Sequence, residues 1–285
     1  MPHCQSGYLT KETIAAALRN LQKLVMKPNK VILSPAPFLT LAEAGRSALE
    51  LATLALSYPI MSNLPRGDGH PVLVLPGFAT NDKMTVVLRK FLSRLGYSVN
   101  AWDLGWNLDQ HTTGENGEHI ARRIAEICQE TGRKVTLVGW SLGGVIAREA
   151  ARKDPDDVRQ VVTLGSPFTG NPGATNLNSL YELLTGNRIA DMRHHARYAQ
   201  GHKVLPVPSS AVYSRTDGIT AWQNCISETD AQTENVEVVS SHFGFIANPA
   251  VFYIVADRLA QAEGTWLPFD RQGPFKAFYR APPDV

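Results

Sequence analysis

Cysteine is scarce, and the three residues present in 285, Cys4, Cys128 and Cys225, lie far apart. No CxxC pair and no histidine at ligand spacing accompanies them, so the common zinc patterns are excluded and no metal is expected. An odd, unpatterned count suits a reducing compartment, with a Cys128–Cys225 pair left open. A charge of one sign is also missing, since 28 basic residues against 26 acidic leave +2. Nucleic acid calls for a clustered basic face, so no nucleic-acid partner is expected. Long apolar runs are absent as well. The longest, Ala48 to Met61, is interrupted by Glu50 and Pro59 and is too short to span a bilayer. Met1 to Thr13 has no charged-then-apolar signal layout, which makes a cytoplasmic protein the expectation. No internal repeat or low-complexity segment is visible.

What is there is ordinary for a folded protein: 44% hydrophobic and 19% charged residues. A chain this long buries a sizeable core without disulfide or metal staples. Residues 1–64 read as a helical extension packed on the core. Ile14, Leu18, Leu21, Leu24 and Val25 recur at helical spacing up to Pro28, and a second helix is expected over Leu39 to Tyr58.

From 65 to 285 the texture changes. Val72–Leu75, Tyr97–Trp102, Val135–Val138 and Val161–Leu164 read as short strands, most of them continuous apolar runs. Helices are expected between them, from Asn81 or Asp82 to Leu95, over Glu118–Glu130 and over Leu142–Arg152. Ala211–Tyr213 and Val236–Val239 read as the last strands, and Ala250–Ala262 as the last helix. Alternation of this kind implies βαβ units and a mostly parallel sheet with helices on both faces. Residues 170–205 interrupt the rhythm with an amphipathic piece carrying Leu177, Leu180, Tyr181, Leu183 and Leu184. The aromatic, proline-rich tail from Trp266 is expected to drape on the surface.

The strongest chemical signal is Gly139-Trp140-Ser141-Leu142-Gly143, between a predicted strand and a predicted helix. The bare GxSxG pattern arises by chance in about one chain in ten of this length. Its strand-to-helix context removes most accidental matches. A serine hydroxyl is a weak nucleophile until an imidazole takes its proton, and the imidazole needs a carboxylate to fix its tautomer. Ser141, Asp217 and His242 each follow the C-terminal end of a different predicted strand, where a parallel sheet gathers side chains into one crevice. The other histidines lie in the insertion, on a helix, in loops or at the wrong end of the sheet. Asp230, Asp191 and Asp103 compete with Asp217, which leads because an Asp-Gly turn follows a strand there.

In these pieces the chain resembles the α/β-hydrolase family, in particular its lipases and esterases. Leu75-Pro76-Gly77-Phe78 resembles the family's oxyanion loop, and Gly165-Ser166-Pro167-Phe168 the loop after the strand that follows the elbow. Ser214–Ile219 resembles the acid loop, and Ser241-His242-Phe243-Gly244 the histidine loop. The resemblance implies an α/β-hydrolase fold with an inserted cap or lid at 170–205. It also implies an oxyanion hole from the backbone N–H groups of Phe78 and Leu142. Phe78, Trp102, Trp106, Leu180 and Leu184 are the candidate substrate-binding residues. The expected activity is serine carboxylic-ester hydrolysis without a cofactor, on a small-molecule or lipid ester, with transient contact at a membrane or lipid surface. Acyl transfer through the same acyl-enzyme and a non-catalytic lipid-binding module are the alternatives. Oligomeric state is not legible.

Overall fold

The computed structural model describes residues 32–61, 63–188 and 200–280. The expected helix Ile14–Val25, Cys4 and residues 189–199 of the insertion lie outside them. From Ile32 onward the chain forms one compact unit. Its major helices are α1 (Pro37–Leu56), α2 (Val86–Leu95), α3 (Glu118–Thr131), α4 (Leu142–Lys153), α5 (Asn178–Thr185) and α6 (Pro249–Ala260). Its strands are β1 (Pro71–Leu75), β2 (Ser98–Ala101), β3 (Val135–Trp140), β4 (Val158–Leu164), β5 (Ser209–Tyr213), β6 (Thr233–Val238) and β7 (Tyr279–Arg280).

The strands make a seven-stranded sheet in the order β2-β1-β3-β4-β5-β6-β7. Every pairing is parallel except β6 with β7. Strand residues alternate between two cores, because successive side chains leave opposite faces of a strand. Val72, Val74, Val138 and Val162 pack on one side with Leu88, Leu92 and the residues of α6. Leu73, Leu75, Leu137 and Val161 pack on the other with Ile120, Ile124, Ile127 and α4. With both faces covered, β1 is buried at all five positions, as a continuous apolar run requires.

Several expected boundaries move. Helix α2 starts at Val86, later than Asn81 or Asp82, because the Asp82 carboxylate instead accepts the N–H groups of Trp102 (3.0 Å) and Asp103 (3.2 Å). Strands β5 and β6 start earlier, through Ser209-Ser210 and Thr233-Glu234-Asn235. These polar residues are buried with partners: Ser210 Oγ donates to Glu234 Oε1 (2.9 Å), which also receives Arg258 Nη1 (2.8 Å). Cys128 and Cys225 are both free thiols.

The tail also departs from a surface drape. Tyr279-Arg280 pairs with β6, and Phe269, Phe275 and Tyr279 enter the core. Phe269 meets the Tyr279 ring edge-on at 4.9 Å and Tyr253 at 6.2 Å. Phe269→Ala is therefore expected to cost about 3–5 kcal/mol, the usual range for emptying a buried aromatic site. Urea denaturation would read it. A loss below about 1 kcal/mol would return the tail to the surface.

Candidate active site

Ser141 sits between β3 and α4 at φ 54°, ψ −125°, a conformation that L residues with a β-carbon rarely adopt. The turn closes only because its flanks are bare. A β-carbon on Gly139 would strike the backbone of Gly143 and Gly144, and one on Gly143 would strike Leu75 and Pro76. Ser141 N–H donates to Leu164 O (2.9 Å), tying the turn to the end of β4. The turn leaves the Ser141 hydroxyl at the C-terminal end of β3, within reach of the neighbouring loops.

Two loops bring the other members. Asp217 follows β5 and His242 follows β6. His242 Nε2 lies 3.0 Å from Ser141 Oγ, and Nδ1 lies 2.7 Å from Asp217 Oδ2. The second Asp217 oxygen accepts the N–H groups of Ile219 and Thr220, both at 2.8 Å, which orients the carboxylate. All three residues are buried. Burial acts to lower the His242 pKa, but the charge and hydrogen bond of Asp217, with the charge of Glu43, outweigh it and raise the value above the ordinary one. Asp217 thus fixes one imidazole nitrogen and leaves the other facing the serine.

The loop after β1 reaches the same place. Asn107, fully buried, donates through Nδ2 to Pro76 O (2.8 Å), and its backbone exchanges hydrogen bonds with Ala79 and Thr80. These contacts hold Pro76-Gly77-Phe78 from behind. Among the described residues no hydrogen bond occupies the N–H of Phe78 or of Leu142, the first residue of α4.

A cavity of about 520 Å³ opens beside Ser141 and His242. Phe78, Met84, Trp106, Trp140, Leu177 and Leu180 give it mostly apolar walls. That volume lies in the roughly 300–1,000 Å³ range of small-ligand sites. Trp106 is 60% exposed and Leu180 41%, so both stand at the mouth. Helix α5 is docked there by Tyr181, whose hydroxyl donates to Asp109 Oδ2 (2.8 Å) and whose ring lies 5.0 Å from that of Phe78.

Two expected substrate contacts are corrected. Trp102 is fully buried in the core, with its indole N–H donated to Gly105 O (3.0 Å), and does not line the cavity. Leu184 is one turn further along α5 than Leu180 and is also outside the lining. Trp140 is a wall that sequence reasoning misses: its indole N–H donates to His242 O (3.0 Å), and its ring lines the cavity. Its place inside the GxSxG pattern is the available signal. Among the described residues no cluster of histidine, cysteine or carboxylate side chains is arranged for a metal. No helix among them is long and apolar enough to cross a membrane.

Comparisons with known proteins agree with this fold. The family model described as alpha/beta hydrolase fold matches residues 70–195. A triacylglycerol lipase of Burkholderia plantarii is 29% identical over 136 residues, covering 45% of this chain and 37% of the relative. A pimeloyl-[acyl-carrier protein] methyl ester esterase of Aliivibrio fischeri is 28% identical over 101 residues, 35% of this chain and 38% of the relative. The matched stretches thus span less than two fifths of these curated relatives. Among solved structures, Aspergillus fumigatus lipase B superposes with a TM-score of 0.52 at 20% identity, over 70% of this chain and 55% of that one. An alpha/beta superfamily hydrolase from Oenococcus oeni gives 0.51 at 15%, over 68% and 94%. At these identities the likeness is one of fold. With the family match running through the strand, turn and helix that carry Ser141, the chain has the α/β-hydrolase fold.

Proposed function

We propose that this chain is a serine carboxylic-ester hydrolase acting through an acyl-enzyme on Ser141. The observation that carries the reading is the unbroken relay from Ser141 Oγ through the His242 ring to Asp217, at 3.0 and 2.7 Å. His242 Nε2 takes the hydroxyl proton as Oγ bonds to the acyl carbon, and the carbonyl oxygen becomes an oxyanion. The N–H groups of Phe78 and Leu142 receive that charge, and the positive end of α4 lies behind it. The intermediate collapses, and the imidazolium gives its proton to the leaving alcohol. A water molecule, deprotonated by His242, then releases the acid and restores Ser141.

The apolar cavity supports an acyl group of medium or long chain as the part that binds. Relatives named for triacylglycerol and for a methyl ester of a protein-bound acyl chain are in line with that choice. Helix α5, with Leu180 at the mouth, serves as the cap over the acyl group, and its exposed Leu183 supports contact with a lipid surface.

The test is a series of p-nitrophenyl esters from acetate to palmitate, read beside labelling by a fluorophosphonate. Labelling at Ser141 and a rate maximum at octanoate or longer is the expected result. The acid limb of kcat/KM is expected above the ordinary imidazole value of about 6.5, because the base must be neutral and its pKa is raised. Labelling without turnover of any ester would move the reading to transfer onto an acyl acceptor. No labelling at all would overturn it.

A further inference from the structure

Helix α1 docks largely through a polar face, although Leu54 also packs against the core. Its one fully buried residue is Glu43, 4% exposed, whereas Leu41 is 88% and Leu49 66% exposed. A helix that docks by hydrophobic contact does the reverse. Thr40, Glu43, Arg46 and Glu50 recur every three or four residues, so they share one face of the helix. That face meets the two loops that hold Asp217 and His242.

Most of its side-chain hydrogen bonds go to those loops, although Thr40 Oγ1 also accepts from Asn176 Nδ2 (2.6 Å) and Glu50 Oε1 from Asn248 Nδ2 (3.4 Å). Thr40 Oγ1 donates to Gly218 O (2.6 Å), and Arg46 Nη2 donates to Thr216 Oγ1 (2.9 Å). Glu50 accepts the N–H of Ser241 (2.8 Å) and, through its other oxygen, the Ser241 hydroxyl. Glu43 spans both loops. It accepts the N–H of Gly218 (2.8 Å), of His242 (2.9 Å to the nearer oxygen) and of Phe243 (3.3 Å). A carboxylate receiving several backbone N–H groups away from water is a strong, directional anchor.

The glycines beside the triad fit the same arrangement. Gly218 follows Asp217, and a β-carbon there would run into the backbone of Leu39 and Thr40. A β-carbon on Gly244 would run into the Glu50 carboxylate. Both loops are therefore shaped to let α1 come close. Neither contact is part of the Ser141–His242–Asp217 relay.

We propose that Glu43 is a positioning residue for the triad, bridging the backbone of the acid loop to that of His242 and so setting the distance across which Asp217 and Ser141 share the imidazole. The inference rests on the hydrolase reading above. It makes α1, a helix far upstream of the elbow, a working part of the site.

The charged and titratable groups around His242 are Asp217 from the acid loop and Glu43 from α1, with Glu50 on the neighbouring Ser241 and Arg46 on Thr216. Glu43→Gln keeps the shape, but it turns one acceptor into a donor facing N–H groups and removes a negative charge. In the full-length protein, kcat for a p-nitrophenyl ester is expected to fall about 10²-fold, as for a small misplacement of reacting groups, with KM nearly unchanged. The acid limb of kcat/KM should move to lower pH, because the lost charge no longer favours the imidazolium. A purely structural role would not move that limb.

Glu43→Asp keeps the charge but shortens the reach. It should lose at least about tenfold in kcat while its acid limb stays in place, and it serves as the reading if the glutamine variant does not fold. A folded variant of either kind with wild-type kcat and pH profile would overturn the inference. Ser141→Ala, run alongside, keeps the two claims apart. If it retains turnover, the hydrolase reading itself fails; if it is inactive beside an unaffected Glu43→Gln, only the positioning role falls.

Discussion

Ser141→Ala is expected to lower kcat by about five to six orders of magnitude while the protein stays folded. Without Oγ there is no atom to form the acyl-enzyme, and what remains is a water molecule without covalent help. The backbone offers a second test at the same position. Alanine keeps the β-carbon and hence the strain of φ 54°, whereas glycine relieves it. Such strained positions cost roughly 1–3 kcal/mol, offset in part by the roughly 0.5–1 kcal/mol of chain entropy that glycine adds. Both variants lose the hydrogen bond to His242 equally. Ser141→Gly is therefore expected to melt about 2–4 °C above Ser141→Ala, and to be equally inactive. Steady-state kinetics and a thermal melt read the two claims separately. An active, folded Ser141→Ala would falsify the acyl-enzyme mechanism, and equal melting points would remove the strain argument.

Asp217→Asn is the second large effect, about 10⁴-fold in kcat with little loss of stability. Its reason lies in the two oxygens. Oδ1 accepts the N–H groups of Ile219 and Thr220, so in asparagine the carbonyl oxygen must take that position. The amide NH₂ is then left facing His242 Nδ1, which has to accept rather than donate. That places the imidazole proton on Nε2, 3.0 Å from Ser141 Oγ, where a proton acceptor is needed. The loop survives and the base does not. Asp217→Ala, by contrast, also strands the two backbone N–H groups and should lose stability, roughly 1–3 kcal/mol for each one left unpaired. A comparison of melts and rates for the pair distinguishes the tautomer argument from simple loss of structure. Equal stability in both variants would count against it.

Much of this architecture is legible in the residues because buried parallel strands are written as apolar runs. Val72–Leu75 and Val135–Val138 announce themselves that way, and the elbow follows from glycines on either side of a serine. The starts of the later strands and the edge strand are harder. Ser209-Ser210 and Thr233-Glu234-Asn235 look like loop, yet they are buried because Arg258 and neighbouring strands satisfy them. Strand β7 has only two residues, too few for any periodicity. Trp102 reads as a wall of the site because it follows a strand at the right end of the sheet. Its side chain turns inward, since an indole that finds a carbonyl partner can be buried whole. Glu43 is hidden for a different reason: a glutamate on an Ala- and Leu-rich helix reads as a solvent-facing charge. The signal is the stripe of Thr40, Glu43, Arg46 and Glu50, the helix's polar minority gathered on one side.

The clamp between α1 and the loops also has a consequence in time. Glu43 and His242 are 199 residues apart, and Glu50 and Ser241 191. At a synthesis rate of about 5–20 residues per second, the helix leaves the ribosome about 10–40 s before its partners exist. Over that interval its carboxylates are hydrated, and Leu54 has no core to join. Contacts this distant in sequence are among the slowest to form, because the intervening chain must be ordered first. The two loops that hold Asp217 and His242, made late, are thus closed by a helix made early. Assembly of the triad becomes a late checkpoint on the whole fold.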